Sequence, residues 1–217
     1  MTVDAATLAR GLAQGLRREP AQKSTPASGR TLLGLVGPPG VGKSTVAAAL
    51  RHELELIDLP AAVLPMDGFH LPQARLVELG RRGRMGAPDT FDVEGFVRVL
   101  QRLRGEPGTV SAPGFDRAIE EPVPDALAIG CDIRIVIVEG NYLLHDRDGW
   151  DRVAGLLDPI WYLDADPALR RARLLDRHVA YGKTPEEAEL WVDEVDEPNA
   201  RLIAEGRQRA TATVSVD

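Results

Sequence analysis

Short apolar runs alternate along the chain with segments in which apolar residues recur at helical spacing. Four runs contain almost no polar residue: 32–36, 61–64, 133–138 and 160–163. Between the first two runs, one helical face carries four apolar residues: Ala47, Leu50, Leu54 and Ile57. Strands that lack alternating polar positions are typical of a parallel sheet buried on both faces. The pattern therefore predicts an α/β fold in which helices cover both faces of a parallel sheet.

The amino-terminal segment shows a different pattern. Leu8, Leu12 and Leu16 recur at helical spacing, and a stretch rich in helix-breaking residues follows at 22–29. We interpret residues 1–29 as a helix and a linker, and residues 30–217 as one domain. The helix can pack on its own domain or on a second copy, so a monomer and a homodimer are both compatible with it.

Capping signals predict two helices near the carboxyl terminus. Asp166 precedes a proline, as in the first turn of a helix, and Gly182 has the position typical of a helix end. Thr184 begins a capping-box pattern for the next helix, which Pro198 is expected to kink or interrupt. The final residues, 210–216, alternate with threonine and serine as in an edge strand.

The composition restricts the class of protein. Of the 217 residues, 44% are hydrophobic and 27% charged, so the chain can bury one sizeable core. The 33 acidic residues outnumber the 26 basic ones, which argues against DNA or RNA as the main partner. The single Cys131 excludes an internal disulfide, and the four histidines are not spaced as in a zinc site. No apolar run resembles a membrane helix or a signal peptide, so we expect no membrane partner and a cytoplasmic protein.

One segment matches the phosphate-binding pattern G-x-x-x-x-G-K-[ST], between a predicted strand and a predicted helix. Its glycines let the backbone curl around an anion, so that N–H groups at the helix N-terminus point at phosphate oxygens. Lys43 is expected to contact the β- and γ-phosphates of ATP, and Ser44 to bind the Mg²⁺ that bridges them. The alternative is a simple glycine turn, but chance gives only about 0.002 such matches in this composition. The predicted nucleotide-binding residues are Gly37, Pro38, Pro39, Gly40, Val41, Gly42, Lys43, Ser44 and Thr45.

Two acidic residues directly follow predicted strands, where the ligands of open parallel sheets collect. Asp67 comes after the second strand and is expected to accept the proton of an attacking hydroxyl, with Gly68 leaving room for the substrate. Glu139 ends the third strand and is expected to hold the metal or one of its waters. Each can instead be a helix cap or a surface acid. Asp164 also follows a strand, but with Asp166 it is explained more simply as part of a helix start.

Three arginines lie along one edge of the helix that begins at Pro167: Arg170, Arg173 and Arg177. Beside them lies an apolar stripe: Leu169, Ala172, Leu175 and Val179. Guanidinium groups aligned in this way can clamp phosphate oxygens, and we favour Arg173 and Arg177 for this catalytic role. The following loop belongs to a lid at about 177–190 that can close and exclude water. The alternative is a solvated face that pairs with nearby acidic residues.

With these residues in order, the chain resembles the phosphoribulokinase, uridine kinase and bacterial pantothenate kinase family of P-loop small-molecule kinases. The likeness runs from about 31 to 201 and is strongest in four segments: 37–44, 66–70, 84–92 and 113–117. Another segment, 196–203, is similar to unassigned pantothenate-kinase-like and fructose-transport-system kinases. The resemblance implies a parallel sheet with strand order 2-3-1-4-5 and a hydroxyl-bearing substrate beside Asp67.

The residues around Asp67 include candidate contacts to that substrate. His70 and Arg117 are polar candidates for binding a sugar or an acid, with a hydrogen bond inside the fold as the alternative for His70. Four aromatic residues can stack on a base, although such rings more often pack in a core: Phe69, Phe91, Phe115 and Tyr142. Uridine kinases follow the segment at 113–116 with a His-x-Arg pair that this chain lacks, so a pyrimidine nucleoside is disfavoured.

Together these features predict a kinase that transfers the γ-phosphate of MgATP to a hydroxyl of a small metabolite, such as a sugar, a pantothenate-like acid or a nucleoside. One alternative is a nucleotide kinase, whose phosphorylated acceptor needs an arginine pocket. Four arginines are only loosely placed for such a pocket: Arg75, Arg81, Arg82 and Arg84. Another alternative is a switch protein that hydrolyses its nucleotide slowly and signals by loop ordering. A GTPase is disfavoured because no Asn/Thr-Lys-x-Asp segment that reads guanine occurs.

Overall fold

The computed structural model describes residues 27–216 and, closer to the amino terminus, residues 7, 10, 11, 13 and 14. Those five residues are helical, and Ala13 is buried in a hydrophobic cluster that also contains Val46 and Val216. Outside the described residues lie the linker at 22–26 and the leucines that predict an amino-terminal helix: Leu8, Leu12 and Leu16.

One parallel sheet organises the fold. The strands are β1 Thr31–Val36, β2 Ala61–Pro65, β3 Val110–Asp116, β4 Glu121–Ile129, β5 Ile135–Gly140, β6 Ile160–Asp164 and β7 Ala212–Ser215. Five of them form the sheet in the order β2-β5-β1-β6-β7. When these five strands alone are numbered in chain order, their order in the sheet is 2-3-1-4-5, as expected. The edge strand expected near the carboxyl terminus is β7. Leu35 of β1 lies beside Glu139 of β5, so the glycine-rich loop and this acid leave the sheet at the same edge.

Helices cover both faces of the sheet, as predicted. They are α1 Lys43–Glu55, α2 Gln73–Glu78, α3 Val93–Gly105, α4 Pro167–Ala180, α5 Pro185–Trp191 and α6 Glu197–Ala204. Successive residues of β1 point to opposite faces, so Leu32 packs in the cluster beneath α3 and Leu33 in the cluster beneath α1. The predicted apolar face of α1 is confirmed by its buried residues: Ala47, Leu50 and Leu54. Among the described helices, none combines the length and the apolar character that crossing a bilayer requires.

Strands β3 and β4 form a separate antiparallel hairpin that the apolar pattern did not predict. Pro113, Pro122 and Pro124 lie in these strands, and a proline has no N–H group for a strand ladder. In a two-stranded sheet each strand has a free edge, so prolines are tolerated there. The hairpin is therefore invisible to a search for continuous apolar runs.

The base of this hairpin is fixed by one buried side chain. The guanidinium of Arg30, which lies just before β1, donates hydrogen bonds to the backbone carbonyls of Glu106, Gly108 and Gly130. Gly108 precedes β3 and Gly130 follows β4. Arg30 therefore ties both ends of the hairpin to the beginning of the central strand.

The predicted helix signals after β6 are confirmed. Asp166 caps α4 by accepting hydrogen bonds from two backbone N–H groups of the first turn. Gly182 follows α4 with a φ of +98°, and Thr184 and Glu187 form a capping box at the start of α5.

The expected interruption near Pro198 takes the form of a π-helical turn, Val192–Asp196, between α5 and α6. Pro198 lies in the first turn of α6 and has no N–H for the carbonyl four residues earlier. The wider turn accommodates this missing hydrogen bond, and Asp196 within it is buried.

The buried face of α4 differs from the prediction. Arg170 and Leu174 are buried, whereas the apolar stripe is only partly covered or exposed: Leu169, Ala172, Leu175 and Val179. An arginine can be buried where carbonyl and carboxylate oxygens satisfy its donors, which apolar periodicity does not reveal.

Candidate active site

A cleft of about 470 Å³ opens at the carboxyl ends of β1, β2 and β5. We call one part of it the loop end, which is formed by residues 39–45 with Arg173 and Arg177. The hairpin end is formed by the turn after β2, the start of α3 and the tip of the β3–β4 hairpin: Asp67, His70, Phe91, Phe115, Arg117 and Glu120. A helical wall closes the remaining side: His178, Trp191, Asp196 and Asn199. The carboxyl edge of the sheet is where the strand-end residues were expected to meet.

Glycines give the loop its path. Gly40 and Gly42 have φ values of +77° and +96°, in the left-handed region, and Gly42 is the N-cap of α1. A Cβ on Gly40 would lie 2.6 Å from the carbonyl oxygen of Arg170. A Cβ on Gly37 would lie 2.6 Å from the carbonyl oxygen of Leu163. The loop therefore approaches both α4 and the end of β6 too closely for a side chain at these positions.

The predicted loop residues divide into lining and supporting ones. Those that line the cleft are Pro39, Gly40, Gly42, Lys43, Ser44 and Thr45. Gly37 and Pro38 accept hydrogen bonds from Lys43 Nζ at 2.8 and 3.2 Å through their carbonyl oxygens. Val41 is buried in the hydrophobic cluster beneath α1. Burial lowers the pKa of Lys43 to about 8, although the carboxylates of Glu139 and Asp67 oppose the shift.

Ser44 and Glu139 meet at the start of α1. The Ser44 hydroxyl donates a hydrogen bond of 2.8 Å to Glu139 Oε1. Burial, followed by the negative charge of Asp67, raises the pKa of Glu139, while Lys43 and the Ser44 hydrogen bond lower it. A hydroxyl and a carboxylate oxygen at this spacing are ligands that Mg²⁺ accepts together with water and phosphate oxygens. The third strand-end acid, Asp164, does not line the cleft and forms an ion pair of 2.8 Å with Arg207. This agrees with a structural role for Asp164, although the helix cap itself is Asp166.

Asp67 lies in the turn Met66–Phe69 that directly follows β2. Arg117 Nη2 donates to Asp67 Oδ2 at 2.8 Å, and Oδ1 has no hydrogen-bond partner among the described residues. The expected role of Gly68 was wrong: it is buried, it does not line the cleft, and a Cβ there would collide with the carbonyl oxygen of Pro113. Its missing side chain lets the hairpin pack against the turn.

His70 has a fixed hydrogen-bonding role. Its Nδ1 lies 2.8 Å from the carbonyl oxygen of Asp67, which can only accept, so Nδ1 carries the proton. Burial lowers the pKa of His70, so the ring is neutral near pH 7 and Nε2 is a hydrogen-bond acceptor. Nε2 has no partner among the described residues and remains accessible to solvent. The ring packs between Phe91 and Phe115, with centroid distances of 4.0 and 4.9 Å.

Of the four aromatic candidates, Phe91 and Phe115 line the cleft, whereas Phe69, which is buried in the core, and Tyr142 do not. Tyr142 is 1% exposed, and its hydroxyl donates to the carbonyl oxygen of Gly86 at 2.6 Å. Burial raises the pKa of this hydroxyl. Tyr142 is therefore a core residue, and the prediction that Tyr142 contacts the substrate was wrong.

The three arginines of α4 have two different roles. Arg173 and Arg177 line the cleft at its loop end, as expected. Arg170 is buried instead: its guanidinium donates to the carbonyl oxygen of Pro39 at 2.9 Å and pairs with Glu197 at 3.3 Å. Arg170 thus connects the glycine-rich loop to α6 and is not available to a ligand.

The helical wall contains residues that sequence reasoning did not single out for the site. Asp196 accepts a hydrogen bond of 2.7 Å from His178 Nε2, and Lys183 Nζ lies 4.5 Å from the ring centre of Trp191. Asn199 is 8% exposed and its side chain lines the cleft. The signal that could have found this wall is the segment at 196–203, which the resemblance had marked without a role.

Two curated relatives cover most of this domain. An ATP-dependent kinase-like protein of Aspergillus versicolor is 45% identical over 131 residues, which are 57% of this chain and 76% of that protein. A candidate uridine kinase of Schizosaccharomyces pombe is 36% identical over 192 residues, which are 80% of this chain and 78% of that protein. No family model matches the chain.

A solved structure is similar over nearly the whole chain. The crystal structure of a candidate fructose transport system kinase from Silicibacter sp. TM1040 has a TM-score of 0.86 and 37% sequence identity. The match covers 95% of this chain and 98% of that protein. The similarity therefore includes the sheet, the hairpin and the carboxyl-terminal helices together.

Proposed function

We propose that this chain, which belongs to the family of P-loop small-molecule kinases that includes uridine kinase and phosphoribulokinase, transfers the γ-phosphate of ATP to a hydroxyl group of a small metabolite. One observation carries the proposal. Lys43 and Asp67 line the same cleft, Lys43 at the start of α1 and Asp67 in the turn that directly follows β2. A phosphate-binding cation and a proton-accepting carboxylate in one cleft are the minimal requirement for phosphoryl transfer to an alcohol.

The loop end supports binding of the triphosphate. Backbone N–H groups at the start of α1 and the Lys43 ammonium face the cleft, so they can bind β- and γ-phosphate oxygens. Ser44 and Glu139 would hold Mg²⁺, which supplies positive charge to the phosphate oxygens when it is bound. Arg173 and Arg177 add positive charge on the α4 side, where negative charge develops during transfer.

Asp67 has the geometry of a base for the acceptor. Arg117 occupies its Oδ2, which leaves Oδ1 for the hydrogen of the acceptor hydroxyl. As the acceptor oxygen forms its bond to the γ-phosphorus, the bond from that phosphorus to the β–γ bridging oxygen breaks. The hydroxyl proton passes to Asp67, and ADP carries away the bridging oxygen. Residues 177–190, the proposed lid, would exclude water from this step.

Two alternatives are less well supported. The arginines considered for a phosphorylated acceptor are each engaged in ion pairs with acidic side chains: Arg75, Arg81, Arg82 and Arg84. A nucleotide kinase would need some of them free. A switch protein needs no base beside its phosphate loop, yet Asp67 is held in that position by Arg117.

The test replaces Asp67 by asparagine. We expect Asp67→Asn to keep the affinity for ATP within about threefold and to lower kcat by about 100-fold or more, because the amide cannot take the proton. Calorimetry measures the affinity, and coupled detection of ADP with a panel of hydroxyl acceptors measures kcat. Asp164→Asn is the matched control, since Asp164 also follows a strand but lies outside the cleft. Full activity of Asp67→Asn would remove this residue from catalysis.

A further inference from the structure

The charges at the hairpin end of the cleft are already neutralised by one another. Arg117 pairs with Asp67 at 2.8 Å, and Arg82, which approaches from outside the cleft, pairs with Glu120 at 2.7 Å. An anionic group that entered here would meet the carboxylates of Asp67 and Glu120 and would have to displace one of them from its arginine. This end of the cleft therefore disfavours a carboxylate or phosphate on the acceptor.

The neighbouring helical wall offers a neutral group instead. Asn199 is 8% exposed, lines the cleft and has no side-chain hydrogen bond to any described residue. Its carboxamide atoms are accessible, since the buried polar atoms without a partner do not include them. Because these atoms are reached from the cleft and have no protein partner, a ligand or water there can satisfy them. An amide both donates and accepts, which matches a hydroxyl group better than an anion.

The position of Asn199 fits contact with the acceptor. It lies one turn after Asp196, and both residues line the cleft together with Gly86. The helical wall therefore borders the same cleft as Asp67 and the hairpin end. A second hydrogen-bonding atom, His70 Nε2, is exposed on the hairpin side and can only accept.

The aromatic rings near Asp67 contact one another. His70 lies against both Phe91 and Phe115 with tilted rings, and Phe91 is only 6% exposed. On the helical wall, Lys183 lies over the ring of Trp191. A compound recognised through hydroxyl groups fits these surroundings better than one recognised by stacking.

We infer that the acceptor is an uncharged compound with several hydroxyl groups, such as a sugar or a polyol, and that Asn199 determines this specificity by hydrogen bonding to a hydroxyl other than the reacting one. This inference rests on the proposed kinase function. Asn199 acts on substrate binding, and Asp67 acts on the transfer itself. The two can therefore be tested separately.

The first experiment compares acceptors that differ only in charge. Coupled ADP detection is carried out with neutral sugars and polyols, with the aldonic acids of the same chain length, with the corresponding sugar phosphates, and with nucleosides. We expect kcat/KM for the best neutral sugar or polyol to exceed that of its charged counterparts by about 100-fold. Preference for an acid, a phosphate or a nucleoside would overturn the inference and leave the kinase proposal intact. No stimulation by any class would overturn both.

The second experiment tests Asn199 directly. We expect Asn199→Leu to raise KM for the preferred acceptor by about tenfold or more, with kcat and the affinity for ATP within about twofold. Asn199→Asp keeps the shape and should raise KM by a smaller factor, because the carboxylate accepts but cannot donate; it also serves if the leucine variant does not fold. Arg201→Gln is the matched control, an exposed residue on the same helix. An unchanged acceptor KM in the folded Asn199 variants would overturn the role of Asn199.

Discussion

The loop end and the hairpin end of the cleft are built in opposite ways. At the loop end, the cations have few acidic partners among the described residues: Lys43 donates its hydrogen bonds to backbone carbonyl oxygens, Arg173 has no ion pair, and Arg177 approaches Asp196 only to 4.0 Å. At the hairpin end, Arg117 is paired with Asp67 at 2.8 Å, and Arg82 is paired with Glu120 at 2.7 Å. The loop end therefore attracts an anionic ligand, whereas the hairpin end is electrostatically balanced and selects by hydrogen bonding.

The same contrast appears in how each end is made. The loop end comes mainly from one contiguous segment, 39–45, to which α4 adds Arg173 and Arg177. The hairpin end joins Asp67 to Arg117 across 50 positions of sequence, and the wall beside it combines residues of α4, α5, the π-helical turn and α6. A binding site for a group common to many substrates can be a fixed local motif, whereas a site for one particular acceptor needs parts from several segments.

Removing the loop cation gives the largest expected effect. We expect Lys43→Ala to lower kcat/KM for ATP by about 1,000-fold, because no other ammonium among the described residues is held on the loop carbonyls. Steady-state kinetics with ADP detection measures it. Lys183→Ala, which removes an ammonium from the proposed lid, is the comparison and should cost far less. Equal losses in the two variants would contradict the distinction between the loop and its surroundings.

The backbone of the loop gives the next effect. Gly40 and Gly80 both have positive φ, but a Cβ on Gly40 would lie 2.6 Å from a backbone oxygen, whereas one on Gly80 meets no atom within 4 Å. We therefore expect Gly40→Ala to weaken ATP binding about 30-fold, and Gly80→Ala to leave binding unchanged despite a similar backbone cost of about 1 kcal/mol. Calorimetry with ATP measures both. Equal ATP affinities in the two variants would show that the close approach of Gly40 to α4 does not matter for ATP binding.

The pH dependence gives an effect of about tenfold. Because burial lowers the pKa of Lys43 to about 8, the free enzyme loses this positive charge as the pH rises through that value. We expect kcat/KM for ATP to fall about tenfold by pH 9 relative to its plateau at lower pH. The contribution of Lys43 to stability has the opposite slope: it rises between pH 8 and about 10.5, where only the unfolded chain keeps the proton. A flat kinetic profile up to pH 9.5, measured with ATP well below KM, would contradict the shift.

Breaking the ion pair at the hairpin end gives the smallest effect. Arg117 and Asp67 are 45% and 31% exposed, so solvent screens their attraction to at most about 1 kcal/mol. We expect Arg117→Gln to raise the acceptor KM by about fivefold, with ATP binding unchanged. Without Arg117, both carboxylate oxygens of Asp67 lack an ion-pair partner, and the orientation of the carboxylate toward the acceptor is less well defined. A loss in ATP binding equal to that in acceptor binding would mean that the two ends are not independent.

The sequence predicts the sheet and the loop end well, because these depend on local patterns, whereas the strand order was implied by the family resemblance. Apolar runs mark the buried strands, and Gly37 to Ser44 are adjacent along the chain. The hairpin escaped prediction because Pro113, Pro122 and Pro124 mask its strands. Arg170 was misassigned because its burial depends on the carbonyl oxygen of Pro39, 131 positions away.

The hairpin end could be predicted only in its parts. Asp67, His70 and Arg117 were named from the sequence as candidate site residues, but their hydrogen-bond partners depend on how separate segments pack. Asp67 binds Arg117, and His70 uses one nitrogen on a backbone oxygen. Asn199 lies in the segment 196–203, which the resemblance marked without a role, and only the folded structure shows that this buried polar residue borders the cleft.

Arg30 donates hydrogen bonds to the carbonyl oxygens of both Gly108 and Gly130, so the two ends of the hairpin lie close together. A segment whose two ends are adjacent can be exchanged as a unit without a change in the path of the chain before or after it. Grafting the equivalent of residues 109–129 from a relative would therefore exchange the three cleft residues of the hairpin, Phe115, Arg117 and Glu120, and leave Asp67, Asn199 and the loop end in place. The acceptor side of such a scaffold can thus be varied one module at a time.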